Sequence, residues 1–298
     1  MKISLHLGVH KTASTFMQDA FAAGQGALAA QQVAHVPTTE FRRSFTRLLR
    51  PGPAGDADVA ARQQQGAEAL AAYLAATGAP RILLSDENLI GTPPEIVESQ
   101  RLYPSAGTRL AAFARLLEGH EVEIFVALRH HGQFARSVYG ESLRSNLRRF
   151  VSPDAFRDGW LAGEPSWLSL IEAVCAAFPN APVTVWNFLD FKKDPQRFLN
   201  LVAGLDPAVA FDTTQANHRP SLSHDAVEAL VEIGATRGVK AMRAVLDDVS
   251  RAHPRSEGNW QYRLWTPEQE RDFNRAFRRD LNRIAALGGQ VRLVGADG

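Results

Sequence analysis

The stretch that decides the fold is LHLGVHKTASTFMQ, residues 5–18. Its first residues are mostly apolar, and they run directly into a turn rich in glycine, lysine and hydroxyl side chains before a helical pattern begins. The N–H groups at the start of a helix have no partners within the helix and carry the positive end of its dipole. This order of strand, turn and helix predicts an anion-binding loop, in which Lys11 supplies a charge and Thr12, Ser14 and Thr15 supply hydroxyl donors.

The loop differs from that of the nucleoside triphosphatases, which requires the pattern GxxxxGK[ST]. His10 occupies the position of the second glycine. The loop instead resembles the 5′-phosphosulfate-binding loop of sulfotransferases, whose bacterial members often read HxGxHKTGTTxLQ. The matching positions are His6, Gly8, His10, Lys11, Thr12, Thr15 and Gln18. The chain departs at Ala13 and Ser14. Serine keeps the hydroxyl, whereas alanine in place of glycine costs conformational freedom if the turn needs a positive φ.

A second segment, residues 121–139, supports this resemblance. Residues 121–129 form an apolar strand pattern that ends in Arg129, and Ser137 follows eight positions later. In sulfotransferases an arginine and a serine at this spacing bind the 3′-phosphate of 3′-phosphoadenosine 5′-phosphosulfate (PAPS). A guanidinium can bind two phosphate oxygens at once, and a serine adds a hydroxyl donor.

The resemblance implies PAPS as the co-substrate and adenosine 3′,5′-bisphosphate (PAP) as the product. Arg219 belongs to a stretch similar to an NxSxS pattern of bacterial sulfotransferases. It could reach the 3′-phosphate, or it could be an exposed residue at a helix entry. The residues expected to bind the nucleotide are Gly8, Lys11, Thr12, Ala13, Ser14, Thr15, Phe16, Arg129, Ser137 and Arg219.

Lys11 matches the catalytic lysine of the family, which implies that it stabilises the oxygen between phosphate and sulfonate during transfer. The base that takes the proton from the acceptor hydroxyl has four named candidates, the last of which is His131. Glu87 follows an apolar strand in the sequence SDEN, and similar sulfotransferases carry Ser-x-Glu there. Glu40 follows a short edge strand, near the position of a catalytic glutamate in glycan sulfotransferases. His10, within the loop, is the third candidate.

Composition and charge argue against several classes of protein. The 298 residues contain 33 Lys and Arg against 32 Asp and Glu, and a net charge of +1 gives no support for nucleic-acid binding. We expect no membrane span, because no apolar run approaches about 18 residues, and a cytoplasmic location, because the N-terminus has no charged and apolar leader. The lone Cys175 excludes an internal disulfide and fits a packed helix. We expect no metal site, because no Cys/His cluster has ligand spacing.

The wider pattern predicts an α/β fold, a three-layer sandwich with a central parallel sheet flanked by helices. Continuous apolar strands near 2–7, 81–85, 122–128 and 182–188 are separated by helical stretches, including one at about 14–31. We expect the carboxyl ends of the strands to bring Lys11, Glu87 and Arg129 to one crevice.

We expect one sulfotransferase-like domain over residues 1–298. Residues 1–215 form its α/β core, and 216–298 form a mainly helical C-terminal part, with helices that begin after Ser223 and Thr266. Residues 51–66, rich in Pro, Gly, Ala and Gln, predict a surface loop that is either a substrate lid or a linker.

The expected function is transfer of a sulfuryl group from PAPS to a hydroxyl or amine of a glycan or small-molecule acceptor. Two alternatives remain open. One is a nucleotide-dependent kinase, which the missing second glycine disfavours. The other is a catalytically silent relative that keeps the nucleotide crevice and binds a glycan or protein partner.

Overall fold

The computed structural model describes residues 1–48, 57–214 and 221–295, and its sheet confirms the predicted fold class. The strands of these residues are β1 (Lys2–His6), β2 (Val33–His35), β3 (Arg81–Ser85), β4 (Glu121–Leu128), β5 (Val183–Asn187) and β6 (Val291–Val294). They form one six-stranded sheet in the order β2-β3-β1-β4-β5-β6, and each neighbouring pair is parallel.

Helices flank this sheet. They are α1 (Ser14–Ala23), α2 (Gln25–Ala30), α3 (Thr38–Phe41), α4 (Ala57–Ala76), α5 (Pro93–Ser99), α6 (Ala106–Leu116), α7 (His131–Leu143), α8 (Pro153–Ala162), α9 (Trp167–Ala177), α10 (Phe188–Lys193), α11 (Pro195–Ala203), α12 (His224–Ala244), α13 (Leu246–Ala252) and α14 (Pro267–Leu287). A short π-helix (Arg42–Thr46) follows α3, and a 3-10 turn (Glu87–Leu89) follows β3.

Alternate residues of β3 and β4 enter separate hydrophobic clusters on the two sides of the sheet. Ile82 and Leu84 belong to one cluster, and Leu83 belongs to the other. In β4, Ile124 lies with the first cluster and Phe125 with the second. Successive side chains of a strand point to opposite faces, so a sheet covered on both sides requires continuous apolar strands. This explains the apolar runs at 82–84 in β3 and 124–128 in β4, whereas β1 carries the buried polar residues Ser4 and His6.

The structure differs from the sequence predictions at three places. The helix predicted at 14–31 is divided at Gly24, where an added Cβ would lie 2.7 Å from the Phe211 ring. The loop predicted at 51–66 is wrong for residues 57–66, which begin α4, whereas 51–56 lie outside the described residues. Alanine and glutamine are good helix formers, and that segment is rich in both. Strand β6 was not predicted.

The described C-terminal residues form α12, α13 and α14, and they also add β6 to the sheet beside β5. Ser223 caps α12 by accepting a hydrogen bond from the Ala226 amide at 3.1 Å. Thr266 and Gln269 form the predicted capping box of α14, and this helix ends at Gly288. Within the described residues, no helix is long and apolar enough to span a membrane.

The strand order indicates one crevice as the place where a ligand would bind. After β1 the chain builds β2 and β3 on one side of it and then crosses to β4 on the other side. Ligands of open parallel sheets bind beyond the carboxyl ends of the strands where the order reverses in this way. The segments that follow β1, β3 and β4 therefore meet at the same edge.

Candidate functional site

The loop between β1 and α1 is tightly wound. Gly8, Lys11 and Ala13 have left-handed backbones, with φ of 50°, 66° and 64°. A Cβ at Gly8 would lie 2.6 Å from Ser14 Oγ, so this position requires glycine for close approach as well as for its φ. Ala13 is the residue before α1, which means that the alanine replacing the family's glycine does occupy a left-handed turn.

The loop hydroxyls have different surroundings. Thr12 Oγ1 donates to the Val9 carbonyl at 2.6 Å, so this buried side chain braces the loop from within. Ser14 Oγ is also buried, but it has no hydrogen-bond partner among the described residues. Thr15 is exposed. Ser14 and Thr15 line a cavity of about 580 Å³ in front of the loop, together with Lys11, Ala13 and Phe16.

Lys11 reaches across this cavity to helix α7. Its Nζ lies 3.1 Å from Glu141 Oε2, and the two side chains are only 16% and 12% exposed. Burial lowers the pKa of the Lys11 ammonium, and Glu141 acts in the opposite direction. The lysine is thus a desolvated cation whose charge is balanced by one carboxylate of the cavity wall.

Arg129 follows β4 and is fixed against the same loop. Its Nη1 donates to the Lys11 carbonyl at 2.7 Å, and its guanidinium lies 5.4 Å from the centre of the Phe188 ring. Its Nε is buried without a partner among the described residues. Burial and the neighbouring Arg136 lower the pKa of Arg129 to about 10, so it remains charged at neutral pH.

A smaller cavity of about 130 Å³ adjoins the first one, and Arg129, Ser221 and Arg255 line both. Ser137 and Arg136 complete its basic wall from α7. Arg136 Nη1 pairs with Glu270 at 3.0 Å, whereas its Nε is buried without a partner in the described part of the chain. The predicted pair of Arg129 and Ser137 is therefore brought to one pocket.

Glu87 lies on the opposite wall, in the 3-10 turn after β3. Arg42 Nη2 donates to Glu87 Oε1 at 2.8 Å, and Gln18 Nε2 donates to Oε2 at 3.0 Å. Burial alone would raise the pKa of Glu87, but Arg42 and His10 outweigh it and lower the pKa to about 2. Burial raises the pKa of its neighbour Asp86, although Arg42 Nε lies 2.9 Å from Asp86 Oδ1. Glu87 is thus the carboxylate that stays ionised to lower pH.

His10 belongs to a hydrogen-bond network that fixes its tautomer. Asn88 Nδ2 donates to Asp86 Oδ1 at 3.1 Å, which turns Asn88 Oδ1 toward His10 Nε2 at 3.3 Å. That nitrogen must then carry the hydrogen. Burial lowers the pKa of His10, so the ring is neutral at pH 7 and Nδ1 accepts from the Tyr103 hydroxyl at 2.9 Å. The Tyr103 oxygen in turn accepts from the His10 amide at 2.9 Å.

The structure brings most predicted site residues to the larger cavity and leaves a few elsewhere. Glu40 is exposed on α3 and lies outside the cavity wall formed by the described residues. Arg219 lies outside the described residues. The residues that line the cavity are His10, Lys11, Ala13, Ser14, Thr15, Phe16, Glu87 and Arg129. Their roles in binding and catalysis remain predictions.

Sequence reasoning missed three charged residues of the cavity wall, Arg42, Glu141 and Arg255. One signal was available for Glu141, which lies four positions after Ser137 and therefore on the same face of a helix. Arg42 is one of two consecutive arginines, and the sequence does not distinguish it from Arg43. Arg255 has no local pattern that marks it.

The described residues contain no group of three or more His, Cys, Asp or Glu that could hold a metal ion. The two cavities are lined by cationic and hydroxyl side chains, together with the carboxylates of Glu87 and Glu141. The arrangement suits an anionic ligand with at least two charged groups, one at the loop and one beside Arg136 and Ser137.

A scan of protein-family models and a search among curated proteins find no match for the chain. Among solved structures, a sulfotransferase from Alicyclobacillus acidocaldarius is 15% identical with a TM-score of 0.41, and the match covers 87% of this chain and 98% of that one. Retinol dehydratase in a complex with retinol and PAP is 11% identical with a TM-score of 0.37, covering 94% of this chain and 81% of that one. Similarity at this level carries no argument about chemistry, which we take from the residues of the cavity.

Proposed function

We propose that this protein transfers a sulfuryl group from PAPS to a hydroxyl of an acceptor molecule. The observation that carries the proposal is the pair of adjoining basic cavities that share Arg129. PAPS has a phosphosulfate at its 5′ position and a separate phosphate at its 3′ position, so it needs two neighbouring anion sites. A nucleoside triphosphate carries all its phosphates in one chain and has no use for the second site.

The fit is supported by donors that have no partner in the described part of the chain. These are Ser14 Oγ at the loop, Arg129 Nε between the cavities and Arg136 Nε in the smaller cavity. A buried donor without a partner costs about 1 to 3 kcal/mol, and an anion that accepts from it removes that cost. In this proposal the 5′-phosphosulfate lies against Lys11 and the start of α1, and the 3′-phosphate lies beside Ser137.

Lys11 is the group that would act on the reacting atoms. In a loose transition state, negative charge grows on the oxygen that leaves with the phosphate. A fixed ammonium beside this oxygen stabilises the transition state more than the ground state, which is the requirement for catalysis. The N–H groups at the start of α1 would add to this stabilisation.

Glu87 is the proposed base. We favour it over the other candidates on three grounds. Glu40 is exposed away from the cavity, and His131 pairs with Asp280 and is not among the described residues that line the cavity. His10 Nε2 carries a hydrogen and its Nδ1 accepts from Tyr103, whereas each carboxylate oxygen of Glu87 keeps a lone pair beside the bonds from Arg42 and Gln18. A carboxylate with a pKa of about 2 is a weak base. It suffices if the acceptor hydroxyl loses its proton only after its oxygen has begun to bond to sulfur, since that bond makes the proton strongly acidic.

The acceptor class follows from the same wall. His10, Arg42, Glu87 and Asn88 line it and offer hydrogen-bonding groups, so a polar acceptor with several hydroxyls, such as a glycan or a small polar molecule, suits it better than an apolar one.

Isothermal titration calorimetry with PAP and with ADP, each with and without magnesium ions, tests the proposal. We expect PAP to bind at least about tenfold more tightly, whether or not magnesium is present, because only PAP fills the second anion site. Arg129→Ala should bring the two affinities together. Equal affinities in the wild type, or a preference for ADP that depends on magnesium, would contradict the proposal and favour the kinase alternative.

A further inference from the structure

The larger cavity contains a carboxylate at an unexpected place. Glu141, on α7, contacts the Nζ of Lys11 at 3.1 Å, and its side chain is only 12% exposed. It lies one helical turn after Ser137, so both project from the same face of α7. A cavity built for anions thus holds a buried negative charge directly on its principal lysine.

This charge opposes the binding of any phosphate at the loop. Like charges a few ångströms apart repel strongly where water is largely excluded. The other carboxylate of the cavity, Glu87, is paired with Arg42 on the opposite wall. Glu141 instead pairs with the lysine that an incoming phosphate would use, so the phosphate and Glu141 compete for the same ammonium group.

The pair also has a role when the cavity is empty. A desolvated ammonium without a counter-charge is costly, and Glu141 supplies that counter-charge. When an anion arrives, it can supply the charge instead. Anion binding therefore replaces Glu141 as the ion-pair partner of Lys11 and does not add an entirely new ion pair.

We propose that Glu141 is a positioning residue that competes with bound phosphate for Lys11 and thereby limits the affinity of the site for its product. This inference rests on the proposed function for the identity of that product, PAP. Among variants of one site, changes in affinity appear mostly in the dissociation rate. Glu141 should therefore speed the release of PAP after each transfer.

The test compares Glu141→Gln with the wild type. Removing the charge while keeping the shape of the side chain should tighten the binding of inorganic pyrophosphate and of PAP by about tenfold or more, measured by calorimetry. The dissociation rate of PAP, measured by stopped-flow competition, should fall by a similar factor. A gain in affinity is informative because damage to the fold would cause a loss.

Two further variants serve as controls. Glu141→Asp keeps the negative charge, so its affinity should remain within about threefold of the wild type. Glu123→Gln makes the same change in net charge at the amino-terminal edge of the sheet, where Glu123 pairs with Arg81 at 3.4 Å, and should leave affinity unchanged. Thermal denaturation checks that each variant is folded.

Unchanged or weaker binding in Glu141→Gln would overturn the inference, and so would an equal gain in Glu141→Asp. The pyrophosphate arm separates this inference from the proposed function. If the wild type does not prefer PAP over ADP but Glu141→Gln still gains affinity for pyrophosphate, the proposed function fails and the role of Glu141 stands. If PAP is preferred and the variant shows no gain, the role of Glu141 fails alone.

Discussion

Tyr103 contacts His10 at the apex of the loop between β1 and α1, and Tyr103→Phe tests whether this contact holds the loop in shape. Its hydroxyl accepts from the His10 amide and donates to His10 Nδ1, both at 2.9 Å. Its backbone is left-handed, with φ of 43°, which is unusual for a bulky side chain and costs on the order of 1 to 3 kcal/mol. This left-handed backbone therefore occurs at the residue whose hydroxyl contacts His10 in the loop.

The expected cost of Tyr103→Phe follows from the two hydrogen bonds between the Tyr103 hydroxyl and His10. Phenylalanine would keep the packing of the ring but leave the His10 amide and Nδ1 without their partner in a buried site. Each orphaned group costs about 1 to 3 kcal/mol, which gives about 2 to 6 kcal/mol if no water replaces the hydroxyl. The loop can avoid this cost only by changing shape. We therefore expect a loss of about tenfold or more in PAP affinity, which corresponds to about 1.4 kcal/mol.

The assay combines urea denaturation, calorimetry with PAP, and nitrogen NMR of the His10 ring. Tyr139→Phe is the matched control, because Tyr139 is equally buried and its hydroxyl donates to the Val151 carbonyl at 2.9 Å, a bond with no loop residue in it. That control should lose stability but keep PAP affinity. The reasoning is refuted if Tyr103→Phe binds PAP within twofold of the wild type and His10 keeps its hydrogen on Nε2 to the same extent.

Three further changes test other parts of the site. In the Glu141→Gln background, Lys11→Ala should lower turnover by about a hundredfold while PAP affinity changes far less. In the wild-type background the Glu141 carboxylate would no longer face the Lys11 ammonium and would repel the nucleotide. Similar turnover in Glu141→Gln and in the double variant would show that Lys11 takes no part in the chemistry. The pKa of Glu87 is about 2 in the folded protein against an ordinary value of 4.5, so its ionised form stabilises the fold above pH 4.5, and this contribution is lost as the pH falls toward 2. Urea denaturation across that range should show that the free energy of unfolding depends less on pH in Glu87→Gln than in the wild type, and an equal dependence would contradict the low pKa of Glu87. Turnover of Glu87→Gln should be about a hundredfold lower if Glu87 is the base. Ala13→Gly should raise the free energy of unfolding by up to about 1 kcal/mol, because glycine adopts the left-handed turn without the Cβ penalty, and a destabilised variant would argue against this strain.

The sheet was predictable because its central strands are buried on both faces, so β3, β4 and β5 are mostly apolar, although β1 also carries the buried polar residues Ser4 and His6. Strand β6 has only four residues, and Arg292 among them is exposed, so its pattern is too short to separate from a loop. The segment 57–66 was assigned to a loop because Pro and Gly precede it, although its alanines and glutamines favour the helix that forms.

The candidate site was predictable where its residues share one local motif. Lys11 and Ser14 stand in the strand-turn-helix pattern, and Arg129 ends a buried strand, so topology brings them together. Glu141 and Tyr103 reach the loop through tertiary packing, from chain positions far from residues 5–18. Tyr103 has no local pattern that marks it, and Glu141 is marked only by its spacing of four residues from Ser137.

The most direct measurement of the central claim is the conversion of PAPS to PAP by the purified protein, followed by chromatography with PAPS labelled in its sulfur. Water is an acceptor that is always present, so the proposed function predicts slow transfer to water even before the preferred acceptor is known. The proposed function predicts that PAP and labelled sulfate accumulate above the protein-free rate, and that Lys11→Ala reduces this excess by about a hundredfold. No excess over the protein-free rate, or an excess that is the same in Lys11→Ala, would contradict it.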